Sequence, residues 1–275
     1  MESLMMHLGN QEICGDDHLT ILQVLRYIYL NFFRGLLGYR TKLKTKNYPV
    51  AITVTTGQSP MRAYNNRFFE TYLRRFISER KNVDLLEIGC GTGVLHRTLD
   101  KLNFSGNYTG IDEKENKHWK TRRSEKSRFI CTSIENFETD QTFDLIVSYN
   151  SMEHIERDDL MMEKCKKMIK SDGIQIHTVP SFWSLFLYLD HGYRQYYPEN
   201  IKRIFGEKCE VYRLGGFFTM FVHFVFITIP AFSRITLQPR NTALYRKCVG
   251  FSSMLDLLIG HRFHLSYGII KRNQG

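Results

Sequence analysis

Between residues 82 and 180 short apolar runs, each the length of a buried strand, alternate with stretches of helical spacing. The runs Val83–Ile88, Tyr108–Ile111, Phe129–Cys131, Phe143–Ser148 and Ile174–Val179 read as strands. Short runs alternating with helices predict βαβ units, hence an α/β fold with a parallel sheet covered on both faces. The helix before the last of these runs is signposted by charge. Asp158 and Asp159 stand at its start, Lys166, Lys167 and Lys170 in its last turns, and Gly173 follows as the expected C-terminal cap. Upstream, Phe68, Phe69, Tyr72, Leu73 and Phe76 recur at helical spacing, predicting a helix over about 58–80 that feeds this region.

The pattern changes at both ends. Over Leu19–Leu37 the polar residues Thr20, Gln23, Arg26, Asn31 and Arg34 share an arc of about 140°, leaving a wide apolar face. Spanning a bilayer would place Arg26 near the centre, at a cost of roughly 2.5–3.5 kcal/mol. Lying in the interface carries no such cost, and the basic residues Arg40, Lys42, Lys44 and Lys46 follow directly. Packing of the helix on the core is the competing expectation. Near the other end, Gly215–Phe232 is an apolar run interrupted by Thr219, His223, Thr228 and Pro230. It reads as a membrane-dipping or buried helix and not a span. The chain divides into an amphipathic and basic segment, 1–57, and one α/β domain, 58–275, with acceptor-side elements and the apolar insertion in 181–262.

Composition narrows the class. The 275 residues, 43% of them hydrophobic, suit one α/β domain with additions. The six cysteines are scattered without a C-x-x-C pair, so neither a disulfide framework nor a metal site is expected, and the reading is a cytoplasmic protein. The first eighteen residues hold Glu2, Glu12, Asp16 and Asp17 and no basic region, unlike a signal peptide. The formal net charge of +10 favours an anionic partner, whether nucleic acid, membrane surface or phosphate-bearing substrate, or merely solubilises the chain.

The chemistry is concentrated in "LLEIGCGTGVLHRTL", residues 85–99, where an apolar run ends on Glu87 and Gly89, Gly91 and Gly93 open a helical pattern. Glycines let backbone approach a ligand closely, and the free N–H groups of a helix start lie beyond them. A dinucleotide loop has the spacing G-x-G-x-x-G and holds a pyrophosphate on the helix end. Here the spacing is G-x-G-x-G, and Glu87 just before it suits an ammonium group, such as that of S-adenosylmethionine. Asp112, 19 residues after Gly93, ends the next strand, where a carboxylate can accept from both hydroxyls of a ribose.

In order along the chain, "VDLLEIGCGTG", "YTGID", "FDLIVSYNSMEHI" and "KKMIKSDGIQIHTVPS" resemble the motifs of class I S-adenosylmethionine-dependent methyltransferases. The resemblance covers residues 82–180. It implies a Rossmann-like, seven-stranded sheet in which "CEVYRL" (209–214) and "HLSYGIIKR" (264–272) supply the last two strands, the final one antiparallel. It places cofactor contacts at Glu87, Gly89, Cys90, Gly91, Gly93 and Asp112. Ser133, Ile134 and Glu135 would flank the adenine, and Tyr149 and Asn150 would lie under the methionine part. Serine stands at 133 where the family often has an acidic residue.

Ligand crevices of such sheets lie at the carboxyl ends of the strands, so residues after the fourth and fifth runs face the acceptor. "SYNSMEHI" lacks the Asn/Asp-Pro-Pro-aromatic stretch used on exocyclic base nitrogens, which argues against nucleic-acid base chemistry. His154 is the candidate general base and His191 the alternative, since an imidazole with a pKa of about 6.5 suits the removal of a hydroxyl proton. In "HGYRQYYPENIKRIF", Tyr193, Arg194 and Tyr196 are candidate acceptor contacts, with Arg194 available to a phosphate, or the tyrosines pack on a helix starting at Pro198. This segment more loosely resembles methyltransferases of bacterial surface-polysaccharide and lipopolysaccharide biosynthesis. The expectation is O-methylation of a sugar on a lipid- or nucleotide-linked glycan precursor by an enzyme peripheral on the cytoplasmic membrane. Methylation of a lipid or small metabolite, methylation of RNA, and a non-enzymatic partner-binding module are the alternatives.

Overall fold

A computed structural model describes residues 14–17, 19–55, 57–189, 191–233 and 239–273. In chain order its elements are α1 (Ile21–Gly38), β1 (Lys46–Asn47), α2 (Pro60–Glu79), β2 (Asp84–Ile88), α3 (Val94–Lys101), β3 (Asn107–Asp112), β4 (Ser127–Cys131), β5 (Phe143–Tyr149), α4 (Asp158–Met168), β6 (Ile169–Pro180), α5 (Pro198–Phe205), β7 (Cys209–Leu214), α6 (Phe217–His223), α7 (Ile229–Phe232), α8 (Ala243–Ile259) and β8 (Ser266–Arg272). The strands form a single eight-stranded sheet in the order β1-β7-β8-β6-β5-β2-β3-β4. β2 to β6 pair in parallel, and β8 lies antiparallel between β6 and β7.

Each of the five apolar runs between residues 82 and 180 is a strand of this sheet. The count is eight rather than seven because Lys46–Asn47 pairs in parallel with Tyr212 and Arg213 at the edge. Two polar residues carry no strand period, so nothing in the pattern announces them. A second correction concerns the end of α4. The helix stops at Met168, and Ile169 takes extended backbone (φ −83°, ψ 134°) and pairs with Phe143. Lys170 and Gly173 therefore belong to β6, not to a helix end and its cap. The Lys170 ammonium bridges Asp84 (3.0 Å) and Asp144 (2.9 Å), a tertiary pairing that outweighs its preference for a helix C-terminus.

Successive residues of the central strands feed two cores, as the period of two requires. Leu85, Leu145 and Val147 pack with α2, α3 and α8 through Phe68, Phe69, Leu95 and Val249. Leu86, Ile88 and Ile146 pack on the other face with α4 and α5 through Met161, Cys165, Ile201 and Phe205. The helices thus cover both faces, which leaves the carboxyl ends of the strands as the open edge.

The outer helices depart from this scheme. α1 is capped by Thr20 and Gln23 in a capping box, but it buries Tyr27, Asn31, Gly35 and Gly38. Of its polar arc only Asn31 is buried, accepting from the Gln195 N–H (3.3 Å), whereas Thr20, Gln23 and Arg26 are exposed. Gly35 and Gly38 lie against the rings of Phe182 and Tyr197, where a Cβ would collide. Its apolar side is exposed, with Ile21 at 80% and Leu22 at 79%. The helix packs, as one expectation had it, but through the strip of Tyr27, Asn31, Gly35 and Gly38 and not through its wide apolar face. The 215–232 run is α6, a π-helical turn over Phe224–Thr228 and α7, and its polar residues Thr219, His223 and Thr228 are buried together with Val222. α8 buries Ser252, Ser253 and Asp256 beside Tyr245 and Val249. Among the described residues no helix is long and apolar enough to cross a membrane.

Candidate active site

A cleft of about 720 Å³ opens at the carboxyl ends of β2, β3, β5 and β6. Its floor is the turn after β2. Gly89, Gly91 and Gly93 all have positive φ (73°, 48° and 73°), which glycine adopts without strain. At Gly89 a side chain would strike Ser151, whereas beside Gly91 a Cβ would meet nothing within 4 Å, so backbone alone borders the open space there. The Gly91 N–H donates to Asp112 Oδ2 (2.8 Å) and the Lys114 N–H to Oδ1 (3.0 Å), which holds the Asp112 carboxylate at the cleft wall.

Glu87 ends β2 only 2% exposed and accepts a hydrogen bond from the Tyr108 hydroxyl. Burial pushes its carboxyl up to about 8, against the opposing effect of that bond. Among the described residues no lysine or arginine bonds to it, so a carboxyl that lines the cleft lacks a cation. An ammonium group there would restore the charged form. The glycine backbone, the ammonium-seeking Glu87 and the ribose-type acceptor Asp112 together fit S-adenosylmethionine.

Other expected contacts also line the cleft: Cys90, Ser133, Ile134, Tyr149, Asn150, His154, His191 and Tyr193. The Tyr149 hydroxyl donates to Asn66 Oδ1 (2.8 Å) and its ring stacks on Phe69. Asn150 takes a positive φ of 46° and accepts from Asn65 Nδ2 (2.9 Å). Four of the expected residues stand apart from the cleft lining. Gly93 starts α3 and shapes the turn without lining the cleft. Glu135 lies outside the cleft wall, and its carbonyl accepts from Lys164 Nζ (2.7 Å). Arg194 is buried, donates to the Ile155 and Glu156 carbonyls and pairs with Asp158 at 3.1 Å, so it is committed to the protein and offers nothing to a phosphate. Tyr196 is wholly buried with its hydroxyl on Asp158 (3.0 Å).

The acid–base groups meet through a residue that no motif marks. Asp16 accepts from His154 Nδ1 (2.5 Å, Oδ2) and from His191 Nδ1 (3.0 Å, Oδ1), and the two imidazoles stand edge to face with centroids 4.7 Å apart. The segment is docked by backbone as well, with Gly15 N–H donating to the Gly192 carbonyl (2.7 Å) and Gly192 N–H to Asp16 (3.2 Å). Burial would raise the Asp16 carboxyl, but the two imidazoles hold it far below the carboxylate range. Burial would likewise lower His154, but the bond to Asp16 and the charges of Glu153 and Asp16 raise it. Because a carboxylate only accepts, His154 donates from Nδ1 and keeps Nε2 as its basic atom. Glu153 does not orient His154. It is 1% exposed, its Oε2 has no partner among the described residues, and burial raises its pKa. Asp16, His154 and His191 have ligand-type atoms within 4.8 Å of one another and are the residues here that could hold a metal ion. Asp16 stands 138 residues from His154 in the chain, a separation that leaves no periodic signal.

Residues 86–176 match a family model described as a methyltransferase domain. A ubiquinone biosynthesis O-methyltransferase of Rickettsia bellii is 26% identical over 109 residues, which is 38% of this chain and 45% of that protein. A malonyl-[acyl-carrier protein] O-methyltransferase of Bacillus cereus is 28% identical over 109 residues, 38% of this chain and 40% of that protein. The match thus spans less than half the length of either relative. The structure of the plantazolicin methyltransferase BpumL in complex with SAH shares the fold at a TM-score of 0.50 and 16% identity, covering 78% of this chain and 85% of that one. Residues 86–176 are thus similar to a methyltransferase domain, and the chain shares the Rossmann-like α/β fold of that solved methyltransferase.

Proposed function

We propose that this protein is an S-adenosylmethionine-dependent O-methyltransferase in which His154, held by Asp16, is the general base. The observation that carries the reading is the Asp16–His154 pair in the same cleft as the glycine turn, Glu87 and Asp112. The bound cofactor supplies an electrophilic methyl group on a sulfonium. Glu87 and Asp112 hold its charged and hydroxylated ends, and the turn lets it lie against backbone. Asp16 fixes the tautomer of His154, which leaves Nε2 to take the acceptor's hydroxyl proton. The rest of the catalysis is alignment of the acceptor oxygen with the methyl group.

For the acceptor we propose a sugar hydroxyl on a lipid-linked glycan precursor, with the enzyme peripheral on the cytoplasmic membrane. The pairing of Arg194 with Asp158 weakens the argument for a nucleotide-linked form, because this arginine is already held by a carboxylate. The outward apolar faces of α1, α6 and α8 support the lipid-borne form. Methyl-labelled S-adenosylmethionine, incubated with the protein and an organic extract of native membranes, should transfer label to a lipid-extractable glycan. His154→Ala should lower that rate about 10²–10⁴-fold with cofactor affinity unchanged. Label found only in a water-soluble pool or in RNA refutes the acceptor reading, and undiminished turnover by His154→Ala refutes the base.

A further inference from the structure

The three outer helices are built alike. In α1, α6 and α8 some polar side chains are drawn inside, Asn31 by the 195 backbone, and Asp256 by the N–H groups of Phe218 (2.9 Å) and Thr219 (3.1 Å) and the Thr219 hydroxyl (2.7 Å), whereas Gln23, Arg26, Arg246 and Lys247 stay exposed. Large apolar side chains are nonetheless left to solvent, with Leu22 at 79% on α1, Phe221 at 56% on α6 and Leu258 at 82% on α8. A folded domain gains nothing by exposing three such faces to water, and contiguous apolar patches of this kind mark an interaction surface.

The faces are joined. From α1, Phe32 meets Phe186 (6.4 Å), Phe186 stacks on Trp183 (6.2 Å), Trp183 meets Phe263 (4.5 Å) and Phe263 meets Phe217 at the start of α6 (5.8 Å). Basic side chains lie beside the faces along the chain. Arg40, Lys42 and Lys44 are exposed directly after α1, and Arg262 is exposed between α8 and Phe263. The stretch 186–191 links this surface to the cleft. Phe186 is exposed on the apolar side, whereas Tyr188 and His191 line the cleft. Helices of the apolar surface grip that stretch from two sides, α1 through Tyr27 Oη to the His191 carbonyl (2.8 Å) and α6 through the His223 ring against Tyr188 (5.1 Å).

We infer that α1, α6 and α8 together form a docking face for an anionic lipid leaflet, and that the acceptor reaches the cleft along the 186–191 edge of that face. Docking stands on the surface itself, whereas the entry route rests on the methyl-transfer reading above. A second copy of this chain would cover the apolar faces but bring a second net charge of +10 against the same basic residues. A leaflet offers acyl chains to the apolar side chains and anionic headgroups to Arg40, Lys42, Lys44 and Arg262.

The test is sedimentation of the full chain with vesicles of phosphatidylcholine, alone or mixed with phosphatidylglycerol, alongside calorimetric titration with S-adenosylmethionine. The protein should bind the anionic vesicles, and bind them several-fold less at high salt. Leu22→Asp and Leu258→Asp, on separate helices and both highly exposed, should each weaken binding about tenfold or more with unchanged cofactor affinity. The pair Lys42→Glu and Lys44→Glu should weaken binding to the anionic vesicles selectively. Absence of binding to anionic vesicles overturns the inference. So does binding indifferent to both aspartate variants, or a solution dimer that either variant dissociates, which would assign the face to a second copy. Vesicle binding without cofactor binding overturns the methyl-transfer reading and leaves the docking face standing.

Discussion

Asp16→Ala removes the carboxylate that holds the Nδ1 atoms of His154 at 2.5 Å and His191 at 3.0 Å. A hydrogen bond between charged partners contributes about 1.5–3 kcal/mol. The Asp16 and His154 side chains are each 38% exposed, so water competes for the bond and the lower part of that range applies. A loss of about 1.5–2 kcal/mol in the positioning of His154 corresponds to a fall in kcat of roughly 10–30-fold. The pH profile moves with it. His154 acts as base only when neutral, and its bond to Asp16 raises its pKa, so the acidic limb of the wild-type profile lies above the ordinary histidine value of about 6.5. Without Asp16 the largest remaining influence is burial, which lowers the pKa, and the limb should shift to lower pH while the plateau falls. Asp16→Asn, which keeps the shape but not the charge, should also move the limb down. Steady-state kinetics across pH, with cofactor affinity by calorimetry as the control, reads all three effects. If Asp16→Ala retains kcat within about twofold and the limb does not move, Asp16 only tethers its own segment and the base is unassisted.

Two further predictions concern the cofactor. Glu87, pushed up to about 8 by burial, is mostly protonated at neutral pH in the free protein, and an ammonium beside it favours the ionised form. Binding of S-adenosylmethionine should therefore release close to one proton near neutrality, and affinity should rise with pH by up to about tenfold per unit below pH 8. Calorimetry in two buffers of different ionisation heat measures the release, and Glu87→Gln should abolish it; a wild-type titration with no proton release would show that Glu87 stays neutral in the complex. Asp112→Ala should weaken cofactor binding by roughly 1.5–3 kcal/mol, the contribution of a charged hydrogen-bond acceptor. Unchanged affinity in a folded Asp112→Ala protein would mean that its carboxylate serves only the Gly91 and Lys114 N–H groups it already accepts from.

Much of this architecture is legible in the order of residues because its determinants are local. Strand runs, the glycine turn and the carboxylate ending the second strand lie within a few residues of one another, and their spacing reflects backbone geometry that any parallel α/β unit shares. For the same reason Pro198 correctly marks the first turn of α5. The partners of long side chains are another matter. Lys170 fits a helix C-terminus by charge, yet it lies in β6 because Asp84 and Asp144 meet it there from distant strands. Arg194 has the chemistry of a phosphate ligand, and only the fold shows that Asp158 has already claimed it. Periodicity establishes that α1 has a polar and an apolar side but not which of its residues are buried. That choice depends on Phe182 and Tyr197 meeting Gly35 and Gly38, contacts more than a hundred residues apart in the chain. The Asp16–His154–His191 cluster has the same origin. Its three members come from the N-terminal segment, the turn after β5 and the loop before α5, and each alone is an ordinary polar residue. Hydrogen bonds act over about three ångströms of space with no regard to separation along the chain, so the base and its orienting carboxylate become a unit only when the sheet and its covering segments bring them together.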